Sequence, residues 1–222
     1  MKRTIIFLGI AAGILVAGVM VFFGRSLPER AMLAGGTSGA ESQYHRIVSL
    51  SPGITETLFA LGAGDRVVGV TRYCLYPPEA RLKVNVGGFV DPNYEAIAAL
   101  EPDMVLLLAV QEDVVRYLRE LHIPYTAVRN ERVRDVLNAI LIVGKVCGKG
   151  ARAQELVDTI SGSMEKIAKK TGGTVRPRVL VSVGRSPGSG SLNELTVAGR
   201  NTFYDELITC AGGVNAYRGY DI

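Results

Sequence analysis

The only arrangement in this sequence with the look of a nucleophile is Gly184-Arg185-Ser186-Pro187-Gly188, a G-x-S-x-G directly after an apolar run. In a nucleophile elbow the serine sits on a sharp strand-to-helix turn, and the N–H of the next residue supplies half of the oxyanion hole. Here the next residue is Pro187, which has no N–H. Ser189-Gly190-Ser191 continue a loop instead of opening a helix, and both histidines, His45 and His122, precede the serine where that hydrolase order needs one after it. No catalytic residue is assigned, and the chain is not expected to be an enzyme. Other chemistries fail on spacing. In Gly144-Lys145-Val146-Cys147-Gly148-Lys149 the glycines sit one residue off the G-x4-G-K phosphate loop, and no G-x-G-x-x-G follows a strand. Two histidines without nearby carboxylates make no protein metal site, and His122, ending an amphipathic helix, reads as a C-terminal cation. Cys74, Cys147 and Cys210 form no C-x-x-C and no Cys/His cluster, so zinc and redox motifs are excluded. In an oxidising compartment one pair could bridge, or all three stay as buried thiols.

What remains is a set of loops that follow apolar runs: Ser51-Pro52-Gly53-Ile54-Thr55-Glu56, then Thr71 to Pro78, then Gly87-Gly88-Phe89-Val90-Asp91-Pro92. Ligands of open α/β sheets bind outside the carboxyl ends of the strands, where these loops belong. They bring Tyr73, Tyr76 and Phe89, with Arg72, to one edge. Aromatic rings beside a cation suit a large, flat, partly anionic ligand through stacking and charge. Any one of these rings taken alone would as readily be core packing. Their joint placement in Gly/Pro-rich loops favours binding.

The elements that must hold those loops follow from hydrophobic period. Strands are predicted over Ile47–Leu50, Val67–Val70, Met104–Leu108 and Tyr125–Val128, alternating with helices over Thr55–Leu61, Tyr94–Leu100, Glu112–Leu121 and Val133–Val146. Gly62 stops the first helix; Asp91 is expected to cap the second, with Pro92 in its first turn. This alternation argues an α/β fold with a parallel sheet between helices, over residues 46–148. The segment 149–173 then carries one uninterrupted helical pattern over Ala151–Lys170, with Leu156, Ile160, Met164 and Ile167 on one stripe about 30 Å long, stopped by Thr171-Gly172-Gly173. A second α/β block, 174–222, starts with a strand over Val179–Val183 and a helix over Thr202–Ile208. Roughly 50 residues are too few for a well-covered sheet, so the second lobe is expected to be incomplete.

Composition fits this picture. Of 222 residues 48% are hydrophobic and 21% charged, which excludes wholesale disorder. The formal charge of +4 is spread along the chain without a run of Lys or Arg, so no nucleic-acid partner is expected. Much of the mean hydropathy of +0.23 comes from residues 1–24. There Lys2 and Arg3 precede an apolar stretch over residues 5–23, near the ~20 residues that span a bilayer. This reads as an uncleaved anchor or a late-cleaved signal that puts the body outside the cytoplasm, periplasmic or tethered to the inner membrane. Residues 25–45, rich in Gly, Ala and Ser, read as the tether.

With these loops in hand, the sequence resembles the periplasmic binding proteins for cobalamin and ferric siderophores, the substrate-binding components of ABC importers. The resemblance rests on RIVSLSPGITE (Arg46–Glu56), GVTRYCLYPP (Gly69–Pro78), GGFVDPNYE (Gly87–Glu95), LEPDMV (Leu100–Val105) and, further on, VAGRNTFYDEL and AGGVN. It implies two α/β lobes joined by one long rigid helix, with a metal chelate held between them and delivered by a monomer to an ABC permease. In cobalamin-binding members, aromatic residues at the positions of Tyr73 and Phe89 contact the corrinoid, and an acidic residue at that of Glu95 docks on the permease. The resemblance thus marks Tyr73 and Phe89 as ligand-binding candidates and Glu95 as the docking candidate; Pro52 and Arg72 of the cleft loops and Arg185 of the second block are ligand-binding candidates by their place in the sequence. Asn193 and Arg200 are further cleft candidates. A corrinoid is expected first, a ferric siderophore next and a haem third. The metal would arrive inside the chelate, so neither a cofactor nor a metal-ligating residue is expected. A rival expectation keeps the fold but drops transport: a membrane-tethered sensory or interaction module.

Overall fold

The computed structural model describes residues 44–173, 175–185 and 195–219. The expected export segment, most of the tether and the loop around Ser186 and Asn193 lie outside the described residues. Residues 46–148 begin with β1 (Ile47–Ser49), α1 (Pro52–Ala60), β2 (Val67–Val70), β3 (Val84–Asn85) and α2 (Tyr94–Ala99). There follow β4 (Met104–Leu108), α3 (Glu112–Glu120), β5 (Tyr125–Val128) and α4 (Val133–Val146). The five strands form one sheet in the order β3-β2-β1-β4-β5, and every pairing is parallel.

Both faces of this sheet are covered, which is why its central strands read as unbroken apolar runs. All five residues of β4 are buried. Alternate side chains point to opposite faces. Ile47, Met104, Leu106 and Leu108 join Leu58 of α1 and Ile140 and Val143 of α4 in one cluster. Val48, Leu50, Val105 and Leu107 join Ile97 of α2 and Val114 and Leu118 of α3 in the other. The sheet is thus sandwiched between α1/α4 and α2/α3.

Two expected helix starts are corrected. α1 opens at Pro52, three residues before Thr55, because proline is well placed in the first turn, where its missing N–H has no intrahelical partner. The cap of α2 is Asn93, whose side chain accepts the Ala96 N–H at 2.9 Å. Asp91 is not the cap; its carboxylate is engaged elsewhere, as described below.

α5 (Gly150–Thr171) is the expected long helix, about 33 Å at 1.5 Å per residue. It lies closely on α4: a Cβ on Gly144 would overlap the Ala153 Cβ. Beyond it come β6 (Arg178–Val179), β7 (Ser182–Arg185), β8 (Leu195–Val197), α6 (Phe203–Cys210) and β9 (Val214–Asn215). The single strand expected over Val179–Val183 is split, and only one of its halves pairs in parallel. β6 pairs with β9 in parallel, whereas β7 and β8 form an antiparallel pair. All three cysteines are free thiols, Cys74 and Cys147 buried and Cys210 partly so.

Candidate functional site

The chain leaves β1 for β2 on one side and later enters β4 on the other. The crevice where strand order reverses, outside the carboxyl ends of β1 and β4, is the usual ligand position of such sheets. Pro52 opens α1 at that point. Beneath it lies a small cavity of about 60 Å³, lined by Pro52, Ile54, Leu108, Val128 and Val136, with Arg129 among its polar neighbours.

The loop after β2 is anchored from below by a buried polar knot. The Thr55 hydroxyl lies 2.8 Å from Ser49 Oγ, 3.1 Å from the Ser51 carbonyl and 3.2 Å from Cys74 Sγ, so its one proton serves one of three acceptors at a time. Thr71 Oγ1 is 3.2 Å from the same sulfur. These groups are buried, and each finds a partner, as burial of polar atoms requires. The knot ties the start of α1 to the turn that displays Tyr73, which is 47% exposed.

Next to Tyr73 stands the expected cation, Arg72, paired with a carboxylate. Arg72 donates two hydrogen bonds to Asp91, at 3.0 Å to Oδ1 and 2.7 Å to Oδ2. Its guanidinium also lies 5.8 Å from the centroid of the Tyr73 ring. The Asp91 hydrogen bonds, then Tyr73, raise the Arg72 pKa above its ordinary value, and the guanidinium holds the Asp91 carboxyl below the usual carboxylate range. Both groups therefore stay ionised at neutral pH, and their charges cancel locally.

Phe89 stands on the adjoining loop, half-buried against the α1/α4 cluster. The buried Gln111 holds that loop to the end of β4: its Oε1 accepts the Leu108 N–H at 3.1 Å, and its Nε2 donates to the Phe89 carbonyl at 3.4 Å. On the outer side an open depression of about 730 Å³ is lined by Arg72, Asn85, Asp91, Asn93 and Glu95. Glu95 is exposed in the first turn of α2. Tyr73 and Phe89 do not line this depression, and Pro52 lines the separate small cavity. The structure thus joins Arg72, Tyr73 and the Phe89 loop, and it places Glu95 on the outer flank of the same loops.

From the second block, Arg185 ends β7, its backbone in register with Leu195. Arg200 precedes α6 and is exposed, its N–H donating to the Gly219 carbonyl at 3.3 Å. α6 docks on the first lobe: Glu206 accepts the Val133 N–H at 2.7 Å and pairs with Arg132 at 3.3 Å, while the Phe203 N–H donates to the Glu131 carbonyl at 2.7 Å. Asp135 accepts the Arg132 N–H, so two carboxylates, one from each lobe, cap the start of α4. Among the described residues no group of three His, Cys, Asp or Glu side chains could hold a metal ion. Sequence reasoning missed Asp91, Gln111, Cys74 and Glu206 as organising residues, because each acts through a partner distant in sequence.

A parallel sheet with helices on both faces, a long helix and a second α/β block define the architecture of a substrate-binding protein. The chain belongs to the periplasmic binding protein family, whose model matches residues 47–221. It is 30% identical over 179 residues to an uncharacterized ABC transporter substrate-binding lipoprotein of Bacillus subtilis, covering 77% of this chain and 55% of that one. It is 32% identical over 181 residues to a cobalamin-binding protein of Halobacterium salinarum, covering 79% and 47%. The chain therefore spans about half the length of these curated relatives. Among solved structures it is similar to a periplasmic heme-binding protein of Roseiflexus sp. RS-1 in apo form, with a TM-score of 0.68, 29% identity, and coverage of 80% and 66%.

Proposed function

We propose that this protein is an extracytoplasmic solute receptor that binds a metal chelate between two lobes and hands it to an ABC permease. A corrinoid is the favoured ligand, a ferric siderophore the next. The observation that carries this reading is the pair of adjoining loops at the carboxyl edge of the first sheet, which holds Tyr73 exposed beside the Phe89 loop. A ring fixed at the cleft edge offers apolar area and a π face at little entropic cost, as a macrocycle requires. Pro52 at the switch point and Arg185 from the second block complete the contact set. Family membership, the cobalamin-binding relative and the heme-binding neighbour support the reading. The long apolar stretch near the N-terminus would keep the receptor at the membrane. Among the described residues no helix is long and apolar enough to cross one.

The test is equilibrium dialysis of the full-length chain against cyanocobalamin and, separately, a ferric siderophore, followed by chelate absorbance. Saturable retention is expected. Tyr73→Ala combined with Phe89→Ala should weaken it at least about tenfold; unchanged affinity would remove these residues from the site. Glu95→Lys should leave retention intact and reduce uptake in a host lacking other receptors, because a rim charge acts on orientation and encounter. Normal uptake by that variant would remove the docking role.

A further inference from the structure

We propose that Arg72 and Asp91 form a positioning clasp that locks the Tyr73 loop to the Phe89 loop, and that by cancelling the cation beside Tyr73 it makes this face favour chelates without net negative charge. The inference rests on the receptor reading and narrows its ligand class.

An exposed ion pair by itself contributes little, and this one is exposed on both sides, at 41% and 56%. Its surroundings distinguish it. The two N–H···O bonds are parallel and bidentate, the arrangement that fixes geometry as well as charge. They join residues 19 apart in sequence on loops that leave different strands. The backbone repeats the connection: the Arg72 N–H donates to the Gly87 carbonyl at 2.9 Å, and the Val86 N–H donates to the Val70 carbonyl at 2.9 Å. The Asp91 side is closed on itself, because the Gly88 N–H donates to the Asp91 carbonyl at 3.1 Å and the Asn93 N–H to the Val86 carbonyl at 2.9 Å.

Gly88 lies buried beneath the pair, where a Cβ would overlap Asp91 Oδ1 and approach Arg72 Nη1 to 2.8 Å. A side chain at the floor of the clasp would therefore have to push the paired groups aside. Above it, the guanidinium lies near the Tyr73 ring, so one group holds the carboxylate of one loop and the aromatic of the other. Gln111 grips the Phe89 backbone from the opposite side. Both aromatic loops are held, and the ion pair is the side-chain hold they share beside the Arg72–Gly87 backbone bond.

The consequence for selectivity follows from charge. A free Arg72 would attract the carboxylates or catecholates of an anionic chelate. Paired with Asp91, it presents a neutral dipole, and an anion could recruit it only by displacing two charge-assisted hydrogen bonds. Glu95, on the same depression, adds negative charge to that flank. An uncharged macrocycle meets no such opposition.

Two measurements on the full-length chain test this. Hydrogen exchange on the ligand-free protein reads the clasp directly: Asp91→Asn and Gly88→Ala should each speed exchange of amides 72–76 and 87–91 by about fivefold or more, with the β4 amides unchanged. Circular dichroism confirms that each variant is folded. Titration with cyanocobalamin, which carries no net charge, and with hemin, which carries two propionates, reads selectivity. Asp91→Asn should weaken cyanocobalamin and strengthen hemin, moving their affinity ratio about tenfold toward hemin. Exchanging the pair, Arg72→Asp with Asp91→Arg, should restore both slow exchange and the wild-type ratio. Exchange unchanged in Asp91→Asn would overturn the clasp. A swapped variant that exchanges slowly yet keeps the hemin-shifted ratio would mean that Arg72 contacts the ligand itself, which overturns the selectivity argument. Should the wild-type chain retain neither chelate, the selectivity argument falls, dialysis against the ferric siderophore decides whether the receptor reading falls with it, and exchange still decides the clasp.

Discussion

In the first lobe, five strands send alternate side chains into two apolar clusters, one against α1 and α4, the other against α2 and α3. Beyond Thr171 the described strands pair only two by two, and the buried apolar residues there are Val197, Ala198, Phe203 and Ile208. Val175, Leu180 and Leu207 stand exposed in that block. The described second block has bonds of its own, Asn215 to the Ala198 carbonyl and Arg176 to the Gly213 carbonyl among them, and further ties run outward to the first lobe and α5. Glu206 caps α4, Phe203 bonds Glu131, and the Thr171 hydroxyl and the Met164 carbonyl are bonded to the Cys210 carbonyl and sulfur. The first lobe is held by its own core. The described second block joins small strand pairs of its own to an anchorage on α4 and α5.

The sharpest way to break this contrast is to make equivalent cavities on the two sides. Leu106, fully buried in β4, should lose about 3–4 kcal/mol on Leu106→Ala, since a cavity adds to the lost transfer energy and a sheet covered on both faces cannot collapse onto it. Ile208, 7% exposed on α6, should lose about 2 kcal/mol as Ile208→Ala because its surroundings can relax. Urea unfolding followed by circular dichroism measures both. Equal losses would show that the second block is packed as rigidly as the first.

Alkaline pH probes the same contrast through the thiols. Burial pushes the Cys147 thiol up to about 11 from its ordinary 9.0, against the smaller opposing influence of Arg66 and Lys149. The unfolded chain gives up this proton near pH 9 and the folded chain only near 11, so the stabilisation is complete below pH 9 and is lost as pH rises through 11. The loss amounts to about 3 kcal/mol at most. Cys147→Ala should flatten that part of the decline. An unchanged alkaline slope in Cys147→Ala would mean that water reaches the first core at this point.

The contact between the blocks carries the next effect. Glu206→Ala removes a charge-assisted cap on the α4 N-terminus and the partner of Arg132, and should cost about 1 kcal/mol, discounted for partial exposure. Hydrogen exchange at the Val133 amide should quicken together with that of α6. Acceleration at Val133 alone would show that α6 stays docked without the carboxylate, so that Phe203 carries the contact.

These differences also explain what could be seen in advance. β1, β2 and β4 are legible because strands buried on both faces leave continuous apolar runs, β5 because a short β-prone run follows Pro124, and α5 because its stripe is long. The loops of the candidate site were legible as Gly/Pro-rich turns after those runs, which exposed Tyr73 and Phe89 as a pair. β3 was not: two exposed residues have no period, and pairing with β2 alone makes them a strand. The split of Val179–Val183 escaped for the same reason. Asp91 reads as a helix cap because Asx before proline favours one, but its competing partner Arg72 is 19 residues away, and only the fold brings the two loops together. Glu206 belongs to the same kind: a cap supplied from another lobe has no local signature.

The smallest prediction concerns the helix on which both blocks depend. Gly162 lies inside α5, its backbone is not in the left-handed region, and a Cβ built on it meets nothing within 4 Å. A glycine in mid-helix costs roughly 0.5–1 kcal/mol relative to alanine, because the unfolded chain has more backbone freedom to lose. Gly162→Ala should therefore stabilise the protein by about that amount, read as a higher urea midpoint with an unchanged slope. The neighbouring case differs in sign. Gly144→Ala on α4 would drive its methyl into Ala153 and should destabilise, although it too is a glycine inside a helix. If Gly162→Ala instead destabilised while α5 stayed helical, its open side would have to be occupied in the working protein, and the helix would be a docking face as well as a spacer between the lobes.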